Sequence, residues 1–140
     1  MLKLKILSIG KTKEKWLEEA FNEYLKRLQP TVQVDCQWAK DDPQLLEWAL
    51  KEPAVLGLDP AGRLFTSEAF SNFLCQQWEI QGSRLTLVIG GAEGLPLAIK
   101  QKAQLISLSP LTFTHQMTRL ILIEQVYRAL EIQRGSHYHK

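Results

Sequence analysis

The sequence predicts an α/β fold with a parallel sheet, and three observations carry this prediction. Five short apolar runs alternate along the chain with five segments of helical periodicity. The runs at residues 54–58 and 85–89 contain no charge, which is typical of strands buried on both faces. Residues 85–128 show the order strand, glycine turn, helix, strand, loop and helix, a βαβα unit of the kind that builds parallel sheets.

A change of period indicates the first strand and the first helix. Side chains alternate over residues 2–8, which predicts a strand with Lys3 and Lys5 on its exposed side, ended by Gly10. The helix that follows presents one apolar face to the sheet and ends at Pro30. That face consists of Trp16, Leu17, Ala20, Phe21, Tyr24, Leu25 and Leu28.

The middle of the chain contains two further strands and two further helices. Residues 32–36 alternate as a second strand, and a short helix follows with Asp42 as its N-cap and Pro43 at its first helical position. The uncharged third strand leads directly into a turn signal at residues 59–63. A third helix begins near Thr66, and its inward residues are Ala69, Phe70, Phe73, Leu74 and Trp78.

The last third of the chain opens with the strand at 85–89 and a glycine-rich turn at 90–94. Glycine adopts positive φ easily and lets a ligand approach the backbone, so the turn is either purely structural or a ligand loop. In open α/β sheets, ligands bind beyond the carboxyl ends of strands, where this turn lies. A strand at 105–109, a loop at 110–115 and a long helix at 116–132 complete the unit.

The composition is that of an ordinary globular domain. Of the 140 residues, 45% are hydrophobic and 23% are charged, so we expect one domain over residues 1–140. No apolar run is long enough to span a bilayer and the N-terminus does not resemble a signal peptide, so we expect a cytoplasmic protein with no membrane partner. Cys36 and Cys75 are expected to be reduced core residues. A net charge of +2 permits an RNA partner without demanding one.

The closing helix differs from an ordinary surface helix. Residues 120–123 are four consecutive apolar side chains, which point in every direction around a helix axis. A helix that is apolar all round is buried on all sides. In a chain of this size, we expect a second copy to cover one side, which predicts a homodimer.

Polar residues near the C-terminus are candidates for chemistry. Arg128 follows Glu124 by four residues, so it either forms an ion pair with that carboxylate or faces a site and holds an anion or a base edge. Residues 137–140 are either a frayed end or a functional group with a titratable ring, a stacking ring and a phosphate partner. His115 and the two tail histidines lack a fourth ligand at a recognisable spacing, so no metal site is predicted.

Four motifs stand out in order along the chain. They are VIGGAEGL at 88–95, LSPLTFTH at 108–115, EQVYR at 124–128 and HYHK at 137–140. Together they resemble the signature of the ribosomal RNA large-subunit methyltransferase H family, of the SPOUT class, over essentially the full length. The resemblance implies a parallel-sheet α/β/α fold with a C-terminal trefoil knot and a homodimer. It also implies methyl transfer from S-adenosylmethionine to N3 of a pseudouridine in the 23S rRNA of the assembled ribosome.

The resemblance also implies site residues. Arg128, Tyr138 and His139 occupy the catalytic and RNA-facing positions. The S-adenosylmethionine contacts fall on Leu58, Gly90, Gly91, Leu108, Ser109, Pro110, Leu111, Thr112 and Phe113. The family often has proline before the histidine of its loop, whereas this chain has Thr114. His139 is a candidate base for the N3 proton, with bulk water as the alternative, and Arg128 would stabilise charge developing on the uracil ring.

Two other hypotheses stay open on the sequence alone. A SPOUT methyltransferase that acts on tRNA would usually carry RNA-binding extensions, and this chain has none. A ribosome-associated binding protein without catalysis would not need the intact glycine turn or the Tyr138-His139 pair. Measuring methyl transfer to ribosomes and to tRNA distinguishes an rRNA methyltransferase from one that acts on tRNA. Calorimetry with S-adenosylmethionine distinguishes an enzyme from a binding protein without catalysis.

Overall fold

In the computed structural model, which describes residues 1–140, five parallel strands form one sheet in the order β2-β1-β4-β3-β5. The predicted alternation of five strands with five helices is confirmed. The elements are β1 (Leu2–Ile9), α1 (Lys15–Leu28), β2 (Val32–Ala39), α2 (Asp42–Leu50), β3 (Leu56–Leu64), α3 (Ser67–Ile80), β4 (Arg84–Ile89), α4 (Leu97–Lys102), β5 (Gln104–Ser107) and α5 (His115–Arg134).

Helices cover both faces of the sheet. Successive strand residues point to opposite sides, so each central strand packs apolar side chains into both helical layers. Ile6 and Leu87 face the layer formed by α1, α3 and α5 and belong to the larger core cluster. Their neighbours Leu7 and Val88 face α2 and α4 and belong to the smaller one. This two-sided burial explains the uncharged runs seen in the sequence.

The prediction of an exposed side on β1 is wrong for the carboxyl half of the strand. Leu7 shares a face with Lys3 and Lys5, yet it is fully buried against α2 and α4. The lysines reach solvent only because they lie near the amino end of the strand, where Lys5 pairs with Glu52 at 2.6 Å. Their alternation with apolar residues marks the strand end and not a solvated face.

The turn predicted at residues 59–63 lies inside β3 as an irregularity. Pairing with β5 is interrupted between Leu58 and Arg63, both of which pair with Ile106. The Asp59 side chain accepts a hydrogen bond from the Ala61 backbone N–H at 2.8 Å and shapes the bulge. A Cβ on Gly62 would lie 2.7 Å from the Ile106 backbone, so only glycine allows the chain to rejoin β5.

Short polar side chains fix three helix starts. The Asp41 carboxylate caps α2 by accepting from the Gln44 backbone N–H at 3.0 Å, so the prediction of Asp42 as N-cap is off by one residue. Thr66 caps α3, as its position in the sequence suggested, and Thr114 caps α5. Each cap places the first turn of its helix at the carboxyl edge of the sheet.

α5 fills the helical layer between α1 and α3. Leu122, Ile123 and Val126 are buried against the sheet, whereas Leu120 and Ile121 are half-buried on the outer side. The apolar side chains around the helix axis are therefore only partly buried within one chain. Burial of the remainder by a second copy stays a prediction.

Two further features concern the whole chain. Cys36 and Cys75 are free thiols, and both are half-buried and not fully enclosed in the core. None of the helices combines the length and the apolar character that a membrane crossing requires.

Candidate functional site

A cavity of about 860 Å³ opens at the carboxyl edge of the sheet, beside the bulge of β3 and the ends of the neighbouring strands β4 and β5. Leu58 in β3, Gly90 just after β4 and Leu108 just after β5 line it. Because the strands are parallel, three segments far apart in sequence meet at one edge. The structure thus brings together three of the residues that the family resemblance assigns to S-adenosylmethionine.

The predicted cofactor residues surround this cavity with one exception. Pro110 does not contribute to the wall, since it lies at the outer bend of the loop after β5. The role of the predicted residues, Pro110 included, in binding S-adenosylmethionine stays a prediction. The residues in the wall are Leu58, Gly90, Gly91, Leu108, Ser109, Leu111, Thr112 and Phe113.

The glycine turn closes tightly on itself. The Gly94 backbone N–H donates to the Gly91 carbonyl at 3.0 Å, and only Gly94 has positive φ, at 82°. Positive φ therefore accounts for the last of the three glycines and not for Gly90 or Gly91. A Cβ on Gly90 would lie 2.4 Å from the Gly94 carbonyl carbon, so this glycine is required by a close approach of backbone.

Serine side chains shape the loop after β5. The Ser107 hydroxyl donates to the Ser109 carbonyl at 2.9 Å, and the Ser109 hydroxyl accepts from the Leu111 backbone N–H at 3.0 Å. These local bonds bend the chain over the cavity. Leu111, 71% exposed, stands at its mouth.

The opposite wall consists of the first turn of α5 and the segment that leads into α1. The Gln116 side chain accepts a hydrogen bond from the Lys13 backbone N–H at 3.1 Å and joins the two segments. Trp16 lies at the rim with 57% of its surface exposed. Burial, followed by the charges of Arg119 and Lys13, lowers the pKa of His115, which favours a neutral ring in this wall.

The cavity contains few charged groups. The carboxylates in its wall belong to Glu14 and Asp59, and Asp59 pairs with Lys100 at 3.3 Å. Backbone groups, hydroxyls and apolar side chains supply the rest of the surface. A cavity of this kind holds a ligand by shape and hydrogen bonds, and it does not favour a strongly anionic one.

The C-terminal tail forms a second cluster around Glu124. Its carboxylate accepts from Arg128 Nη2 at 2.8 Å and from the Tyr138 hydroxyl at 2.7 Å. The Tyr138 ring packs edge-on against Tyr127 with centroids 4.8 Å apart, and the Arg128 guanidinium lies 4.8 Å from the Tyr138 centroid. The tail is therefore docked on its own chain and is not a frayed end.

These contacts shift the pKa values of two groups in the cluster and indicate which ring nitrogen of His139 carries a proton. Burial and the hydrogen bonds with Tyr24 and Glu124 raise the pKa of Tyr138, and the hydrogen bond to Glu124 raises the pKa of Arg128. Arg128 Nη1 lies 3.0 Å from His139 Nδ1. A guanidinium can only donate, so Nδ1 accepts, and Nε2–H of a neutral His139 donates to Glu68.

The structure brings Arg128, Tyr138 and His139 together, but not to the cavity of the same chain. α5 begins at the cavity with His115, and Arg128 follows thirteen residues later. At 1.5 Å per residue this separation is about 20 Å along the helix axis. One chain thus presents two separate features, the cavity and the tail cluster, and the ion pair of Arg128 and Glu124 lies inside the second.

Several participating residues carry no local sequence signal. Glu68 and Tyr24 reach the tail from 71 and 114 residues away, and only the folded chain reveals the contacts. Arg119 is different, because the sequence does contain a signal for it. Its spacing from Leu122 and Val126 puts a basic residue on the apolar stripe of α5, and in the structure this residue is buried. No group of three or more histidine, cysteine, aspartate or glutamate side chains is placed to hold a metal ion.

Comparisons with known proteins agree with this arrangement. A family model described as "Predicted SPOUT methyltransferase" matches residues 2–139. A protein of Protochlamydia amoebophila (strain UWE25) named Ribosomal RNA large subunit methyltransferase H is 69% identical over 140 residues, which cover 100% of both chains. A protein of the same name from Symbiobacterium thermophilum is 35% identical over 162 residues and is covered completely, with 99% of this chain aligned.

Two solved structures share the fold at low sequence identity. A probable methylase family protein from Haemophilus influenzae Rd KW20 superposes with a TM-score of 0.60 at 12% identity, over 98% of this chain and 70% of the other. TrmJ from Z. mobilis ZM4 superposes with a TM-score of 0.57 at 11% identity, over 92% of this chain and 70% of the other. At these identities the likeness concerns the fold alone.

Proposed function

The chain belongs to the SPOUT methyltransferase family, and from this premise we propose that it transfers a methyl group from S-adenosylmethionine to large-subunit ribosomal RNA. The observation that carries the proposal is the cavity beside the bulge of β3 and the ends of β4 and β5, lined by Gly90, Gly91 and the serine loop. Relatives that align over their full length carry the name Ribosomal RNA large subunit methyltransferase H. The finer target, N3 of a pseudouridine in the assembled ribosome, follows the resemblance of the four motifs.

The cavity suits a nucleoside joined to an amino acid. Its volume of about 860 Å³ lies within the usual range for small-molecule pockets. Gly90, Gly91 and the loop after β5 line the cavity, and their backbone groups would hold adenine and methionine moieties by hydrogen bonds. When bound, S-adenosylmethionine supplies an activated methyl group, and the task of the protein is alignment. Glu14 gives the wall a negative charge that tolerates a sulfonium cation, whereas the charge of Asp59 is balanced by Lys100.

The tail cluster supplies the polar groups that the nucleic-acid substrate requires. Arg128 would stabilise negative charge that develops on the uracil ring as N3 loses its proton. A neutral His139 is a base, and its Nδ1 already points at Arg128. For this ring to accept a proton at Nδ1, its one acceptor nitrogen, Arg128 must give up its contact, and bulk water is the alternative acceptor.

We infer that the working enzyme is a homodimer in which the tail of one chain completes the cavity of the other. Within one chain the cavity and the tail cluster are separated by about 20 Å of helix. The outer side of α5, with half-buried Leu120 and Ile121, offers an apolar surface for a second copy. Two copies related by a two-fold axis would bring each tail toward the opposite cavity.

Mixed dimers test this arrangement directly. One chain carries Gly91→Val, which fills the cavity wall, and the other lacks residues 138–140. Each homodimer should fail to methylate ribosomes, whereas the mixed dimer should regain one of its two sites, because an intact cavity meets an intact tail. A mixed dimer without activity would show that each chain uses its own tail. Absence of methyl transfer to ribosomes by the parent protein, or transfer to tRNA instead, would overturn the proposed substrate.

A further inference from the structure

Arg119 is a buried cation whose hydrogen-bond partners are all neutral. Only 2% of its surface is exposed. Its Nε donates to Ser8 Oγ at 2.9 Å, and its Nη1 donates to Thr12 Oγ1 at 3.0 Å. Nη2 donates to the carbonyls of Ile9 and Gly10. All four acceptors belong to the end of β1 and the residues that follow it.

No carboxylate balances this charge. Arg119 forms no ion pair, and its guanidinium lies 4.3 Å from the centroid of the Trp38 ring. Burial lowers the pKa of Arg119 to about 10, which reflects the cost of placing a cation there. Burying a cation without a carboxylate partner is costly, and the hydrogen bonds to the four acceptors offset that cost only while all of them are in place. Arg119 therefore makes the position of the segment after β1 depend on the position of α5.

The guanidinium joins the two segments that form one wall of the cavity. Arg119 follows directly after His115–Thr118 of α5, and those residues line the cavity. Its acceptors precede Glu14 and Trp16, which line the same wall from the other segment. The hydrogen bond from the Lys13 backbone to the Gln116 side chain, at 3.1 Å, is the only other polar tie between these segments. A planar group with several donors in fixed geometry can fix both the distance and the angle between them.

We propose that Arg119 is a positioning residue for methyl transfer: it holds the segment after β1 against the first turn of α5 and so sets the shape of the cavity that receives S-adenosylmethionine. The proposal rests on the proposed function. Arg119 does not touch the substrate, since its donors are directed to Ser8, Thr12 and the two carbonyls. Its effect is exerted through the position of cavity residues such as His115 and Trp16.

The test compares variants by calorimetry with S-adenosylmethionine and by the kcat and KM for ribosomes. Arg119→Met keeps the length of the side chain and removes the donors, whereas Arg119→Lys keeps the charge and cannot reach four acceptors. Thr12→Val removes one acceptor at a half-buried position with almost no change in shape. Leu74→Ala is the control, because it destabilises a fully buried site of α3 that is remote from the cavity.

We expect Arg119→Met to bind S-adenosylmethionine more weakly and to lose activity on the order of 10²-fold in kcat, as small misplacements of a reacting geometry do. Arg119→Lys should not rescue it, and Leu74→Ala should keep the parental Kd and kcat despite a lower melting temperature. Thr12→Val should weaken binding at an unchanged melting temperature, and its effect should be non-additive with Arg119→Met.

Three results would overturn the proposal. The first is parental Kd and kcat in Arg119→Met. The second is full rescue by Arg119→Lys, which would mean that charge and not geometry matters. The third is parental binding by Thr12→Val, which decides the matter even if the arginine variants do not fold. An inactive parent protein would instead overturn the proposed function, so the two failures are distinguishable.

Discussion

Gly90→Ala should damage the cavity far more than Gly91→Ala, although the two glycines are adjacent. A Cβ at position 90 would lie 2.4 Å from the carbonyl carbon of Gly94 and 2.6 Å from the backbone nitrogen of Leu95. Ordinary van der Waals contact begins at 3.4 Å. The two sides of the turn would have to separate by about 1 Å, a displacement that can lower a rate on the order of 10²-fold when it reaches the reacting geometry.

The second glycine supplies the matched control. A Cβ at position 91 would meet only the Ile9 side chain, at 3.4 Å, so the protein accepts a methyl group there. Overpacking against backbone at position 90 should destabilise the fold by about 1–3 kcal/mol, because neither Gly94 nor Leu95 can move like the end of a flexible side chain. The same substitution at position 91 should leave the melting temperature unchanged.

Calorimetry and thermal unfolding together distinguish the outcomes. For Gly90→Ala we expect a melting temperature lower by several degrees and a Kd for S-adenosylmethionine raised by about tenfold or more, that is at least about 1.4 kcal/mol. For Gly91→Ala we expect a parental melting temperature and a smaller loss of affinity. If Gly90→Ala melts and binds as the parent does, the close approach at Gly94 does not shape the binding site.

Three further predictions concern assembly, the thiols and pH. Light scattering should give about twice the chain mass of 16.0 kDa, and Ile121→Lys, which changes a half-buried outer residue of α5, should give a folded monomer; a dimer that persists would place the interface elsewhere. Burial raises the pKa of Cys36 to about 12, so this half-buried thiol should react with a disulfide reagent at pH 8 much more slowly in the native protein than after unfolding, and equal rates in the two states would contradict the raised pKa. The hydrogen bond to His139 lowers the pKa of Glu68 below its ordinary value of 4.5. The contact should therefore be present above pH 4.5 and weaken as the pH falls through the lowered value, which the His139 ring resonances in NMR spectra would report; resonances that do not change would refute the contact.

The convergence of Leu58, Gly90 and Leu108 could be predicted because it follows from topology alone. Uncharged runs identify strands buried on both faces, and parallel strands place their carboxyl ends at one edge. The order of strands within the sheet could not be predicted in the same way, since nothing local states that β4 pairs with β1 and β3.

Local signals failed where a tertiary contact decided the conformation. The residues after Leu58 look like a turn that ends a strand, but Gly62 lets the chain rejoin β5 beside Ile106. The sequence pointed to Asp42 as the N-cap of α2, and the backbone geometry selected Asp41. The partners of the tail, Glu68 among them, depend on how α3 packs on α5 and leave no mark in the nearby sequence.

The position of α5 has a consequence for the synthesis of the chain. This helix follows every strand and every other helix of the fold in sequence, yet Leu122, Ile123 and Val126 occupy the middle of the larger core, between α1 and α3. A nascent chain that has reached only α4 leaves Phe21 and Leu74 without the neighbours that bury them. β1 can pair with β2 as soon as both are made, but its other edge stays unpaired until β4 follows. The larger core therefore cannot close before α5 has been made, and a nascent chain that stops short of α5 exposes the apolar surface that chaperones bind.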